Sequence, residues 1–279
     1  MKRITHTTRL IVLAVGLAAA VAGGITAGLL GGAAASTVLG SQGGASGMPA
    51  SVRVAASRAA LAKTTRPAPG STLVAEGREK IVPLYRRPGQ QAYLRLGPLP
   101  DSYGTAPVFR VLRRDGAWLH VSLPTRPDHA TAWIRVRSVY LRSTDYRLVV
   151  DPSRHQLRLY QGRDQLLASP IAVGKSLTPT PRGTYFIAYA LRTGDPGGPF
   201  GPYAFGLSAY SNVLTNFAGG DGEIGLHGTN EPRLLGRSVS HGCIRVANRV
   251  ISRLANLIPL GTPVTIQPRQ TRRNKTWSD

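Results

Sequence analysis

Cysteine is almost missing from these 279 residues, with Cys243 the only one. Exported folds stapled by disulfides carry cysteines in even sets, so this chain makes no internal crosslink. A lone cysteine is then either a small buried hydrophobe or a reactive thiol. Acidic side chains are also scarce: 13 Asp plus Glu face 35 Lys plus Arg, for a net charge of +22. Such an excess suits any polyanion, nucleic acid or anionic cell envelope alike. The arginines, however, stand singly in strand-like stretches such as Arg135-Val136-Arg137 and Arg147-Leu148. With no basic helix and no aromatic-interleaved RNA motif, no nucleic acid partner is expected; the plain reading is a solvated basic surface, which fits an anionic cell envelope equally well, and charge alone decides nothing. Phosphate-cradling motifs are missing too, because Gly219-Gly220-Asp221-Gly222 has neither the spacing nor the lysine of a Walker loop. There is no internal repeat.

What is present divides the chain. A hydrophobic share of 42% permits a sizeable core, while 32 Gly and 21 Pro point to a loop-rich, mostly β fold. Lys2, Arg3 and Arg9 precede an uncharged stretch from Leu10 to Gly40 that ends near Ala33-Ala34-Ala35. A basic start, an apolar run and small residues form a secretory signal. The run exceeds the ~7–15 residues usual for a signal and reaches the ~20 that span a bilayer. Residues 1–40 are therefore read as an apolar helix, either signal peptide or membrane anchor. The remainder is expected in the cell wall or on the extracytoplasmic face of the cytoplasmic membrane. Residues 41–70, rich in Ala, Ser, Gly and Pro, read as a linker.

Residues 71–143 hold short apolar runs between turn signals. VFRVLRR and AWLHVSLP flank Asp115-Gly116 as a hairpin, and TAWIRV with SVYLR reads as a second pair. A small antiparallel barrel is expected. Residues 144–268 form the third unit, followed by a basic tail over 269–279. RLVVD, QLRLYQ and QLLASPIAV read as strands turning at Pro152-Ser153 and Gly162-Arg163, and TYFIAYAL as another. NRVISRLANLI has apolar residues at helical spacing and stops before Pro259; PVTIQ closes as a strand.

The chemistry concentrates in two clusters, Ile224 to Asn230 and Ser240 to Arg245. A thiol attacks as thiolate, and a nearby imidazole is the usual means of producing one. His227 and His241 precede Cys243 by 16 and 2 residues. If 240–245 is extended, His241, Cys243 and Arg245 share one face. Gly242 then lets a carbonyl approach the amides of Gly242 and Cys243, an oxyanion site worth roughly 3 kcal/mol per donor. His241 lies beside the thiol without facing it, whereas His227 arrives from a separate segment, so His227 is assigned as the base. No acidic residue is suitably placed to orient it, which leaves a backbone carbonyl just after it. A zinc site of His227, His241 and Cys243 is a rival, though it lacks a fourth ligand.

The pattern His227-Gly228-Thr229 followed by Ser240-His241-Gly242-Cys243-Ile244-Arg245 resembles the YkuD-type L,D-transpeptidase catalytic domain. Thr178-Pro179-Thr180-Pro181-Arg182-Gly183 and GPYAFGLSAY resemble it as well. VPLYRRPG at Val82–Gly89, with Trp118 and TAWIRVRSV, resembles bacterial SH3-like domains. The fold so implied is mostly β: a β-sandwich-like catalytic domain beside a small SH3-like β-barrel. The resemblance implies that Cys243 attacks the third residue of a peptidoglycan stem peptide, releases the terminal D-Ala and holds a thioester. His227 would carry the proton, with the Gly228 carbonyl holding its ring. Ser240, His241 and Gly242 would shape the pocket, and Arg245, where some relatives have asparagine, would buttress it or meet a carboxylate. An amine of a neighbouring stem would complete a 3→3 crosslink, with no metal and no cofactor. Two alternatives remain: water as acceptor, giving an L,D-carboxypeptidase or endopeptidase, or an idle wall-binding protein.

Overall fold

The computed structural model describes residues 70–99, 104–216 and 220–268. The N-terminal apolar segment, almost all of the linker and the basic tail lie outside them. Seven strands make the first unit: β1 (Thr72–Gly77), β2 (Val82–Leu84), β3 (Leu94–Leu96), β4 (Val108–Asp115), β5 (Trp118–Ser122), β6 (Thr131–Arg135) and β7 (Val139–Thr144). Five pair antiparallel in the order β6-β5-β4-β1-β7, and β2-β3 forms a separate hairpin tied on by a bridge between Tyr85 and Trp133. Alternate residues point inward, so Leu119, Val121 and Ile134 join Val82, Leu84 and Phe109 in a closed apolar core. The hairpin loop is Gly116-Ala117, because Asp115 pairs directly with Trp118, and Gly116 adopts φ +51°. TAWIRV and SVYLR are not partners. β6 and β7 stand at opposite edges of the sheet, separated by a 3-10 turn at Val136–Ser138, and β7 pairs with β1 instead.

The second unit contains β8 (Tyr146–Asp151), β9 (Gln156–Gln161), β10 (Asp164–Pro170), β11 (Val173–Gly174), β12 (Gly183–Arg192), β13 (Tyr203–Tyr210), β14 (Glu223–His227), β15 (Ser238–Ser240), β16 (Ile244–Arg245), helix α1 (Asn248–Leu257) and β17 (Pro263–Ile266). The stretch expected as one strand, QLLASPIAV, breaks after Pro170. Its end becomes β11, which leaves the main sheet to pair with β15. Eight strands run in the order β10-β9-β8-β17-β12-β13-β14-β16, with β8–β17 and β14–β16 parallel. β12 is the hinge of this sheet. Residues 183–186 pair with β17, residues 187–192 pair with β13, and the register shifts between Ile187 and Tyr189. A bulge there lets the sheet bend over its own core, as sandwich corners do. Leu148, Leu157, Ile187, Phe205, Leu226 and Val264 meet Val250, Ile251 and Leu254 of α1 in that core. Each such side chain contributes about 1.5–3 kcal/mol on burial. The helix ends where Pro259 denies continuation.

The two units pack against each other. Leu99 covers Phe186, Ala188 and Tyr189 on the outer side of β12. Asp128 accepts from the Tyr185 hydroxyl (3.1 Å) and from the Tyr210 amide (2.8 Å), and the Tyr210 hydroxyl donates to Pro124 O (2.8 Å). Arg126 reaches the loop after β13, donating to the carbonyls of Asp221 (2.9 Å), Ser211 (2.8 Å) and Leu214 (3.3 Å). Its loss leaves those carbonyls without their charged donor. Arg126→Ala is expected to cost about 2 kcal/mol, read as a lowered urea midpoint with an unchanged slope.

Candidate active site

The candidate nucleophile Cys243 sits on a turn and not on a strand. Ser240 ends β15 and Ile244 begins β16, so residues 241–243 lie between two short strands. The expectation of one extended run with His241, Cys243 and Arg245 on a single face is therefore corrected. Gly242 adopts φ +127°, which turns the chain, leaving His241 exposed and Cys243 partly exposed. A Cβ at Gly242 would also stand 2.9 Å from Ile224 Cδ1. The turn is closed by the buried Ser240 hydroxyl, which accepts from the Gly242 amide (3.1 Å) and donates to the Cys243 carbonyl (2.6 Å). The Gly242 amide is thus committed inside the turn. Of the two oxyanion donors expected, one is therefore taken, and the other, the Cys243 amide, faces its own thiol.

A second layer fixes this turn. Thr180 Oγ1 donates to Gly242 O (2.8 Å) and accepts from the Gly174 amide (2.9 Å). Thr178 Oγ1 and the Lys175 amide both donate to Ser240 O, at 3.3 and 3.0 Å. The threonines of the TPTPRG stretch therefore hold the turn of the nucleophile.

His227 ends β14 and is buried. Its Nδ1 lies 2.7 Å from Gly228 O; an amide carbonyl only accepts, so Nδ1 carries the proton and Nε2 is left as a base. Phe200, from the Gly/Pro-rich loop, stands edge-on to the ring at 4.9 Å. Asn248, the first residue of α1, holds the loops around it, with Oδ1 accepting from the Thr229 amide (2.7 Å) and Nδ2 donating to Pro196 O (3.1 Å). A Cβ on either Gly201 or Gly228 would collide with Asn248 Oδ1.

Gly225 stands between base and nucleophile. Its amide points at Cys243 Sγ (3.4 Å), and a Cβ there would lie 3.5 Å from His227 Cδ2 and 3.7 Å from Sγ. Cys243 and His227 share one pocket, walled by Tyr189, Leu191, Phe200 and Glu223. His241 does not join them, and no trio of His, Cys, Asp or Glu among the described residues is arranged to hold a metal. Arg245 pairs with His227 across the parallel strands β14 and β16, and its guanidinium meets Glu231 at 3.2 Å. It buttresses the loop after His227.

Burial sets the electrostatics. It pushes the His227 imidazolium down to about 4, reinforced by the nearby Arg245 charge and opposed by the Gly228 carbonyl. Burial likewise pushes the Cys243 thiol up, and the Glu223 charge adds to this, while the Gly225 amide and Arg245 oppose it. Both partners rest neutral near pH 7. A protonated thiol sharing a pocket with a neutral imidazole is not a standing ion pair.

These features coincide with a known sequence family. Residues 145–266 match the YkuD family model, the L,D-transpeptidase catalytic domain. Over 124 residues the chain is 45% identical to a YkuD protein of Bacillus licheniformis; the match covers 44% of this chain and 66% of that one. A second YkuD protein, from Bacillus subtilis, is 40% identical over 121 residues, covering 43% and 65%. The chain thus spans slightly less than two thirds of these relatives. Among solved structures, an L,D-transpeptidase from Mycobacterium smegmatis aligns at 17% identity with a TM-score of 0.37, covering 58% of this chain and 91% of that one.

Sequence patterning missed several residues of this domain's pocket: Glu223 and Tyr189, which touch each other; Gly225; and Asn248 behind it. Period two along β14 would have found the first of them, since 223, 225 and 227 share a face.

Two outcomes follow. Gly242→Ala places a side chain in a glycine-only region and against Ile224, so it is expected to cost about 1–3 kcal/mol. Chemical denaturation should show the loss, together with altered reactivity of the Cys243 thiol. The His227 ring should titrate near pH 4 and not near 6.5, followed by NMR of its Cε1–H. Between those values the unfolded chain binds the extra proton, so this residue's share of stability is complete above pH 6.5 and lost as pH falls through 4. His227→Gln should remove that slope.

Proposed function

We propose that the chain is an exported peptidoglycan L,D-transpeptidase that forms 3→3 crosslinks through a Cys243 thioester. The observation that carries this reading is the single pocket onto which both Cys243 and the Nε2 side of a tautomer-locked His227 open. The YkuD match over residues 145–266 and the identity to two YkuD proteins support it.

In the acylation half, Cys243 Sγ adds to the carbonyl of the stem peptide's third residue while His227 Nε2 takes the thiol proton. The oxyanion that forms is offered the Cys243 amide, which at rest faces the thiol of its own residue. Collapse breaks the bond to the terminal D-Ala, whose nitrogen takes the proton back from Nε2. The acyl group is then held as a thioester against an apolar wall of Leu191, Phe200 and Phe205 that excludes water. Ser240 and Gly242 hold the turn beneath the sulfur. His241 stands exposed on the same turn.

Residues 71–143 act as an SH3-like unit that brings the enzyme to the wall, with residues 1–40 directing export and 41–70 providing reach. The basic surface favours the anionic envelope. The site of action is then the cell wall or the outer face of the cytoplasmic membrane.

A stem tetrapeptide offered to the purified protein tests this reading, with the adduct followed by intact mass. The wild type should gain the mass of the tripeptide acyl group at Cys243 and release D-Ala. Cys243→Ala and His227→Ala should each lower D-Ala release by about 1,000-fold or more. Residual activity of Cys243→Ala within tenfold of wild type would refute the assignment.

A further inference from the structure

β14 carries both the base and the amide that meets the sulfur, yet its pairing is thin. Its partner β16 reaches only Leu226 and His227. Toward its start the strand pairs, among the described residues, with β13 alone. There the ladder is broken: Gly206 faces Gly225, Tyr210 faces Glu223, and the residues of β13 between them bulge out. The placement of Gly225 beside Cys243 Sγ, and of His227 at the strand's end, therefore depends on what holds Tyr210 and the loop behind it.

What holds them comes from the first unit. Residues 124–128 lie in the connection between β5 and β6 and grip the buried Tyr210 from three sides. Pro124 O accepts from its hydroxyl (2.8 Å), Asp128 Oδ1 accepts from its amide (2.8 Å), and the Arg126 guanidinium lies over its ring at 5.3 Å. The same guanidinium ties the two ends of the loop together, donating to Ser211 O (2.8 Å) and Leu214 O (3.3 Å) at one end and to Asp221 O (2.9 Å) at the other. Between those ends the Ser211 amide donates to Gly222 O (2.8 Å). Gly222, at φ +82°, leaves no room for a side chain against Leu214 O, and Glu223 follows at once as the first residue of β14. Delivery to the wall asks for none of this, since a flexible connection would serve a tether. A planar, charged fork that fixes several carbonyls at once is instead a device for holding position.

We infer that Arg126 and Asp128 are positioning residues of the Cys243–His227 site, so that the first unit completes the geometry of the catalytic domain as well as carrying it. This goes beyond the targeting role and rests on the transpeptidase reading of the pocket. Neither residue touches substrate or the reacting atoms. Each acts through Tyr210 and the loop ends at Ser211 and Asp221, on the strand that presents Gly225 and His227. Proton transfer from Sγ to Nε2 is sensitive to small displacements of that strand, whereas binding of a peptide is less so. The loss on releasing the grip falls on kcat.

The test uses a soluble stem tetrapeptide, which needs no delivery to the wall. Wild type, Arg126→Ala, Arg126→Lys and Asp128→Asn are compared where circular dichroism shows each folded. Arg142→Ala, which cuts an ion pair with Glu76 elsewhere in the first unit, controls for loss of stability in that unit. In Arg126→Ala, kcat for D-Ala release should fall about tenfold or more while KM stays within about threefold. Its rate of Cys243 alkylation by iodoacetamide and the titration of the His227 Cε1–H should both change. Arg126→Lys and Asp128→Asn should retain part of kcat, and Arg142→Ala should stay within about twofold of wild type. An Arg126→Ala enzyme with kcat within about twofold of wild type would overturn the inference, as would an equal loss in Arg142→Ala. Should Arg126→Ala fail to fold, the two milder variants decide, and unchanged kcat in both overturns it. A wild type that is alkylated at Cys243 but releases no D-Ala sinks the transpeptidase reading instead. Thiol reactivity and the His227 titration then judge the positioning role by themselves, and it fails if neither differs between wild type and the Arg126 and Asp128 variants.

Discussion

The buried hydroxyl of Ser240 ties the Gly242 amide to the Cys243 carbonyl, and the position of the Cys243 thiol depends on that short circuit. Two-residue strands such as β16 have little hold of their own, so the turn between β15 and β16 needs fixing from within. Everything around it extends the same logic. Thr178, Thr180 and Lys175 grip the turn from a segment about 60 residues earlier, as the separations of 62 residues record. Asn248 does the same for the loop after His227. Catalysis needs geometry held to a fraction of an ångström, and hydrogen-bonded supports from rigid neighbours supply it.

Much of this was legible in the residues. The single cysteine, the Ser240–Cys243 cluster and His227-Gly228 marked the pocket because nucleophile and base chemistry needs those residue types. The Gly228 carbonyl as partner of His227 was also readable, as the chain offers it one residue away. The strand boundaries around Pro152-Ser153 and Gly162-Arg163, and the helix end before Pro259, followed from local turn chemistry, which is short-range.

Long-range pairing was not legible. β6 and β7 are consecutive yet lie at opposite edges, since β1, far earlier, inserts beside β7. The same holds for QLLASPIAV, whose apolar run looks continuous but splits when β11 finds β15 about 65 residues on. Ser240–Arg245 read as extended because glycine's positive φ at 242 leaves no trace in an alternation pattern. Glu223 escaped notice for a related reason: Tyr189, whose hydroxyl it accepts from, lies on another strand.

The raised thiol of Cys243 has a bearing on durability. Peroxides and disulfides react with thiolates, and the protonated form is nearly inert toward them. A site that keeps its sulfur protonated until substrate and imidazole draw the proton away is shielded from sulfenic acid formation between turnovers. With no second cysteine in the chain, an oxidised sulfur would have no internal partner to rescue it. In the extracytoplasmic space proposed for this chain, a sulfur kept protonated at rest limits such damage.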